Sequence, residues 1–228
     1  SAISVPSRVS SVLVARAVKP HVGGLKLGLE FFMRNGPDGV RRMGRVGLPI
    51  FLDLKLHDIP NTVAGALKSL SVLDLAIVNV HAGGGLTMMQ AAAGVRPPGA
   101  RLVAVTVLTS MDEADLCGIG VFGNPSDQVL RLAALTREAG LDGVVCSAHE
   151  VAGVKKEWTD GLFVIPGINR RVGLDVVLGM IPVAGDAVAA ALGAWLVINR
   201  EASGGIMLAA TILTRHPAMP TRPCGRAP

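Results

Sequence analysis

Three charged residues punctuate an otherwise apolar stretch, Phe51-Leu-Asp-Leu-Lys-Leu-His-Asp-Ile-Pro-Asn-Thr62. Asp53 and Lys55 are two positions apart, so a strand carries them on the same face. Asp58 follows where the strand has run out, and Pro60 suits the first turn of a helix. Two acids and a lysine therefore gather at the carboxyl end of a strand, the place where parallel α/β folds put their active sites. Charges taken out of water must be paired. The cluster is therefore either a structural ion pair at a strand end or a site for proton transfer and charge stabilisation.

The elements that would hold such a cluster alternate along the chain. The pattern predicts strands at Ala2–Val5, Leu25–Gly28, Pro49–Lys55, Leu75–His81, Arg101–Leu108, Gly143–Cys146 and Leu162–Ile165. Helices are predicted at Ser10–Val18, Glu30–Met43, Thr62–Leu70, Leu86–Ala93, Ser126–Ala139 and His149–Trp158, with Gly83-Gly-Gly85 as a turn. Repeated βα units imply a parallel sheet with right-handed crossovers. Seven strands by Ile165, with room for an eighth, point to an α/β fold of the (β/α)8 TIM-barrel type. The expected organisation is one barrel domain over 1–215, atypical over 169–215, with a disordered tail at 216–228 rich in Pro and Arg.

Half of the 228 residues are hydrophobic, Gly is abundant at 28, Phe is scarce and Tyr is absent, so the core must rest on small and aliphatic packing. The net charge of +5 favours anionic ligands, but no run of Lys/Arg interleaved with aromatics points to nucleic acid. Cys117, Cys146 and Cys224 are scattered, with no metal-ligand spacing and no disulfide framework, which suits a reducing cytoplasm. Residues 172–198 are almost wholly apolar, yet Asp175, Asp186 and Pro182 make a membrane span an unattractive reading.

The stretch from Phe51 to Thr62 resembles the signature of the orotidine 5′-phosphate decarboxylase family. Leu25-Lys-Leu-Gly-Leu-Glu-Phe31, Val78-Asn-Val-His-Ala-Gly-Gly84, Ala104-Val-Thr-Val-Leu-Thr-Ser-Met111, Leu141-Asp-Gly-Val-Val-Cys-Ser147 and Val164-Ile-Pro-Gly-Ile168 resemble its other strand ends, in order and at similar spacing. The resemblance implies a homodimeric (β/α)8 barrel that converts orotidine 5′-phosphate to UMP and CO2 in pyrimidine biosynthesis, with no cofactor and no metal. It implies Lys55 as proton donor, Asp53 beside it, and Lys26 and Asp58 completing an alternating charge network. Asp58 and Thr62 would reach into the partner's site, and Thr109 would contact the nucleotide.

Two regions depart from the family pattern. Ser4 stands where the family has an Asp that touches the ribose. At the phosphate end, Asn169 replaces an Arg, Val176 falls at a Gln position, and Asn199-Arg200 stands for a Gly-Arg pair, so Arg200 is the phosphate ligand retained. Gly173–Asp186, followed by an apolar run and Arg200-Glu-Ala202, is also similar to a motif of a bacterial family of unknown function. Divergence and fusion both remain open for this stretch. Two rival functions stand beside the first: a metal-dependent sugar-phosphate decarboxylase on the same scaffold, and a non-catalytic barrel remnant whose apolar C-terminus binds a membrane or partner. His57 and His81 read as structural, and Cys146 as a small core hydrophobe.

Overall fold

The computed structural model describes residues 7–166, 195–200 and 206–207. The strand expected at Ala2–Val5 with Ser4, the residue Asn169, most of the apolar run and the tail lie outside the described residues.

After α1 (Ser7–Val18), strands and helices alternate: β1 (Gly24–Gly28), α2 (Leu29–Gly44), β2 (Ile50–Leu56), α3 (Pro60–Leu70), β3 (Ile77–His81), α4 (Gly85–Ala93) and β4 (Arg101–Val105). Two helices, α5 (Glu113–Gly118) and α6 (Pro125–Glu138), lead to β5 (Gly143–Val145), then α7 (Val151–Glu157) and β6 (Leu162–Val164). Each strand pairs in parallel with the next, so β1 to β6 lie side by side in chain order. All six therefore present their carboxyl ends at one end of the sheet.

The expected eighth strand forms as β7 (Trp195–Arg200), parallel to β1 from the Gly24↔Trp195 pair onward, with β8 (Ile206–Met207) antiparallel to it. It occupies the β1 edge, where barrel order would put a strand from the N-terminus. An open edge of a buried parallel sheet leaves backbone donors and acceptors unpaired, and the β-branched Val197-Ile198 run supplies partners for them.

Two local differences from the sequence reading have clear causes. The helix expected over Glu30–Met43 is broken inside α2, where Gly36 takes a φ of +59° just before Pro37. A residue before proline is pushed out of the helical region, and glycine accepts the alternative. The short helix α5 was not expected. Its signal is a capping box, in which the Asp112 carboxylate accepts from the Asp115 N–H and the Asp115 carboxylate accepts from the Asp112 N–H.

The aliphatic core runs between the sheet and helices α2, α3, α4 and α6, with Leu25, Leu27, Leu52, Val78 and Leu102 from strands meeting Met43, Leu67 and Met89 from helices. At the amino end of the strands a different device ties the layers together. Asp142, just before β5, accepts from Arg96 at 2.5 Å, from Arg101 at 3.1 Å and from the Leu102 backbone N–H at 2.7 Å. Burial pushes the Asp142 carboxyl up, but the Leu102 N–H and the two guanidiniums outweigh it and hold the carboxyl below its ordinary value. A carboxylate held low stabilises the fold above the ordinary carboxylate range, and that contribution is lost as pH falls through the folded value. Asp142→Asn is expected to lower stability by about 1–3 kcal/mol at neutral pH. In urea unfolding the gap from wild type should close as pH falls below the ordinary carboxylate range.

Candidate active site

At the carboxyl end of the sheet the structure brings together Lys26 of β1 and Asp53 and Lys55 of β2. Gly28 pairs with Asp53 across the β1/β2 ladder, which sets Lys26 two residues back on the neighbouring strand. Lys26 Nζ lies 2.5 Å from Asp53 Oδ2, and Lys55 Nζ lies 2.6 Å from Asp53 Oδ1. The ammonium of Lys26 also sits 5.9 Å from the centre of the Phe51 ring, close enough for a cation–π contribution.

The three side chains differ in access to solvent. Asp53 is 5% exposed, Lys26 20% and Lys55 41%. Removing a carboxylate from water costs several kcal/mol, so Asp53 needs partners on both oxygens, and it has them. Burial pushes its carboxyl up, while Lys26 first and then Lys55 pull it back below the ordinary value. Two ammoniums against one carboxylate leave one net positive charge at the mouth of the site. Lys55 is the most exposed of the three.

The backbone at Lys55 is irregular. Phe51↔Ile77 and Leu52↔Val78 pair in register, but the next pair is Leu56↔Val80, so β2 carries two extra residues against β3. Within this bulge Lys55 has a φ of +52°, a left-handed conformation rare for a residue with a side chain. Bulges of this sort re-aim side chains. Simple strand alternation therefore gives the correct neighbour for Asp53, although the strand itself does not continue regularly.

Asn79 on β3 was missed from the sequence. It is fully buried; its Nδ2 donates to Asp53 Oδ1 at 2.7 Å, and its Oδ1 accepts from the Lys55 N–H at 2.8 Å. The available signal was a lone amide in the run Ile77-Val-Asn-Val80, since a buried amide requires hydrogen-bond partners.

The other expected site residues are more dispersed. Asp58 and Thr62 are exposed at the start of α3, and the Asp58 carboxylate accepts from the Ile59 N–H at 2.6 Å. Asp58 makes no ion pair with Lys26 or Lys55 among the described residues, so the fourfold charge network is not assembled within one chain. Thr109 is exposed in the loop after β4. Arg200 ends β7, which places its backbone at the same end of the sheet as Lys55.

Beside Lys55, the rings of His57 and His81 stack at 5.1 Å. His81 Nδ1 accepts from the Gly83 N–H at 3.1 Å, which ties the strand end to the glycine turn. Burial, then His57, then Lys55 lower the His81 pKa, favouring the neutral ring that can accept this bond. Cys146 is buried, and burial followed by the Glu150 charge pushes its thiol up to about 12, so it is an inert core group.

Comparison with known proteins adds a second line. The family model described as "Orotidine 5'-phosphate decarboxylase / HUMPS family" matches residues 2–210. The orotidine 5′-phosphate decarboxylase of Novosphingobium aromaticivorans is 56% identical over 172 residues, covering 75% of this chain and 77% of that one. The crystal structure of orotidine 5′-phosphate decarboxylase from Lactobacillus acidophilus superposes with a TM-score of 0.61 at 34% identity, over 68% of this chain and 75% of that one. That of the enzyme from Pyrococcus horikoshii is 20% identical but covers 87% and 88% of the two chains, with a TM-score of 0.61, and shows the same fold.

Removing the shared carboxylate leaves two ammoniums facing one another across a partly solvated gap. Asp53→Ala is expected to destabilise the protein by about 1–3 kcal/mol, less than for a fully buried pair because both lysines can rehydrate. Raising the salt concentration should recover part of that loss by screening the lysine pair. Thermal unfolding of wild type and variant at low and high salt checks both statements.

Proposed function

The chain belongs to the orotidine 5′-phosphate decarboxylase / HUMPS family, and from that premise we propose that it converts orotidine 5′-phosphate to UMP and CO2. The observation that carries this reading is the Lys26–Asp53–Lys55 cluster at the carboxyl end of the sheet. The names of relatives at 56% identity favour this substrate over a sugar phosphate.

In this reaction the bond from C6 to the carboxylate breaks and its electron pair stays on C6. The ring offers no ordinary sink for that pair, so a fixed cation beside C6 lowers the barrier as charge forms. Lys55 is the cation with access, and its ammonium gives the proton that completes the new C6–H bond. The neutral amine then regains a proton from water. Asp53 is almost sealed from solvent and both its oxygens are engaged by the lysines and Asn79. Its role in this scheme is to hold the Lys55 side chain aimed, and Lys26 helps keep Asp53 ionised.

Nucleotide contacts are assigned to Ser4, Thr109, Asn169 and Arg200, with Arg200 as the cation for the phosphate. Asp58 and Thr62 are assigned to the neighbouring site of a homodimer, which would complete the alternating charges there. Exposed apolar Leu29, Met33 and Ile59, at the starts of the helices after β1 and β2, support a covered surface in that neighbourhood. The setting is a cytoplasmic step of pyrimidine biosynthesis. No helix among the described residues is long and apolar enough to cross a membrane.

The direct test is loss of orotidine 5′-phosphate absorbance on adding purified protein, with and without a chelator. Chelator-resistant turnover that disappears in Lys55→Ala, with the circular dichroism spectrum unchanged, is the expected result. Turnover that survives in Lys55→Ala would remove Lys55 from the mechanism, and turnover abolished by the chelator would favour the metal-dependent alternative. For the shared site, Lys55→Ala and Asp58→Ala subunits should each be inactive alone and regain turnover when mixed. Failure of the mixture to recover would contradict a site built from two chains.

A further inference from the structure

We propose that Asn79 is a positioning residue for the reaction: it holds Lys55 in its left-handed backbone conformation and fixes the Asp53 carboxylate beneath the Lys55 ammonium. This rests on the decarboxylase reading of the site.

The geometry follows from the bulge. Between Leu52↔Val78 and Leu56↔Val80 the β2/β3 ladder is interrupted, so backbone groups of β2 lose their strand partners. The Lys55 N–H is one of these, and the Asn79 side-chain oxygen takes it at 2.8 Å in place of a strand carbonyl. The same amide then turns its nitrogen to Asp53 Oδ1 at 2.7 Å, the oxygen that Lys55 Nζ also holds at 2.6 Å. One side chain thus sets both ends of the Lys55 unit, its backbone and the acceptor of its ammonium. A left-handed lysine is disfavoured and persists only where its surroundings over-determine it. Asn79 is fully buried on a central strand, so it can make both bonds without competition from water.

The amide is chemically suited to the task, since it must both accept and donate. An aspartate at the same position keeps the acceptor for the Lys55 N–H but replaces the donor with a second carboxylate facing Asp53. Two carboxylates in contact cannot both stay ionised cheaply, so one is driven toward its neutral form. An alanine removes both bonds and leaves the Lys55 N–H unpaired.

The test is steady-state kinetics of wild type, Asn79→Asp and Asn79→Ala on orotidine 5′-phosphate across pH, with UMP binding and thermal unfolding measured in parallel. Misplacement of a reacting group by about 1 Å costs on the order of 100-fold in rate. Both variants are expected to lose kcat on that scale, with KM and UMP affinity changed only a few-fold. Asn79→Asp should lose least at low pH, where a protonated carboxyl at position 79 can again donate to Asp53 and accept from the Lys55 N–H. Wild-type kcat at every pH in a folded Asn79→Asp would overturn the proposal. Equal losses in kcat and in UMP affinity would overturn it too, by showing a merely structural role. If Asn79→Ala does not fold, the near-isosteric Asn79→Asp decides alone. Absence of turnover by the wild-type protein would instead sink the decarboxylase reading, and with it any positioning role for Asn79.

Discussion

The structure depends on keeping one carboxylate charged in a place that water barely reaches. Asp53 sits at the end of β2 with its side chain 5% exposed, and it survives there through two lysines and one amide. Each partner comes from a different strand position: Lys26 from β1, Lys55 from the same strand, Asn79 from β3. The carboxylate therefore joins three adjacent positions across the sheet, and the sheet in turn aims the lysines. Stability and chemistry are linked at this point, because the charges that offset the burial of Asp53 are the ones that would act on a substrate.

The two ends of the sheet divide the work. At the amino end, Arg96, Arg101 and Asp142 form an ion cluster anchored on a backbone N–H, an arrangement that ties a loop to the start of β4 and β5. At the carboxyl end the backbone itself is irregular, with a left-handed lysine and a bulge. Strain of this kind is tolerable where the neighbouring strand supplies a buried partner, and Asn79 is that partner. The side of the sheet next to β1 is made by β7, whose parallel pairing with β1 brings its last residue, Arg200, to the end where Lys55 lies.

Much of this was legible in the sequence, for local reasons. The spacing of Asp53 and Lys55 puts them on one face of a regular strand, and the two are in contact despite the bulge; short apolar runs alternating with helical segments located the strands from Leu25 to Val164. The pieces that escaped are those decided by contacts between distant residues. The φ of Lys55 depends on an amide 24 positions away in sequence, and no local pattern announces it. The choice of β1 as the partner of β7 is a long-range pairing of the same sort. Asp58 reads as part of the cluster because it lies five residues from Asp53, yet a strand end and a loop intervene, and within one chain it stays apart. By contrast, the break at Gly36-Pro37 and the Asp112/Asp115 capping box are written locally; helical periodicity alone does not reveal them.

The central claim is that Asp53 is ionised and held so by Lys26 and Lys55. Carbon-13 NMR of the labelled Asp53 carboxyl, followed as the pH is lowered, tests it most directly. The account requires the Asp53 signal to stay at its ionised position while exposed aspartates pass through their ordinary titration range. An Asp53 carboxyl that takes up its proton within or above that range would mean that burial outweighs the lysines, and the charge arrangement described here would be wrong.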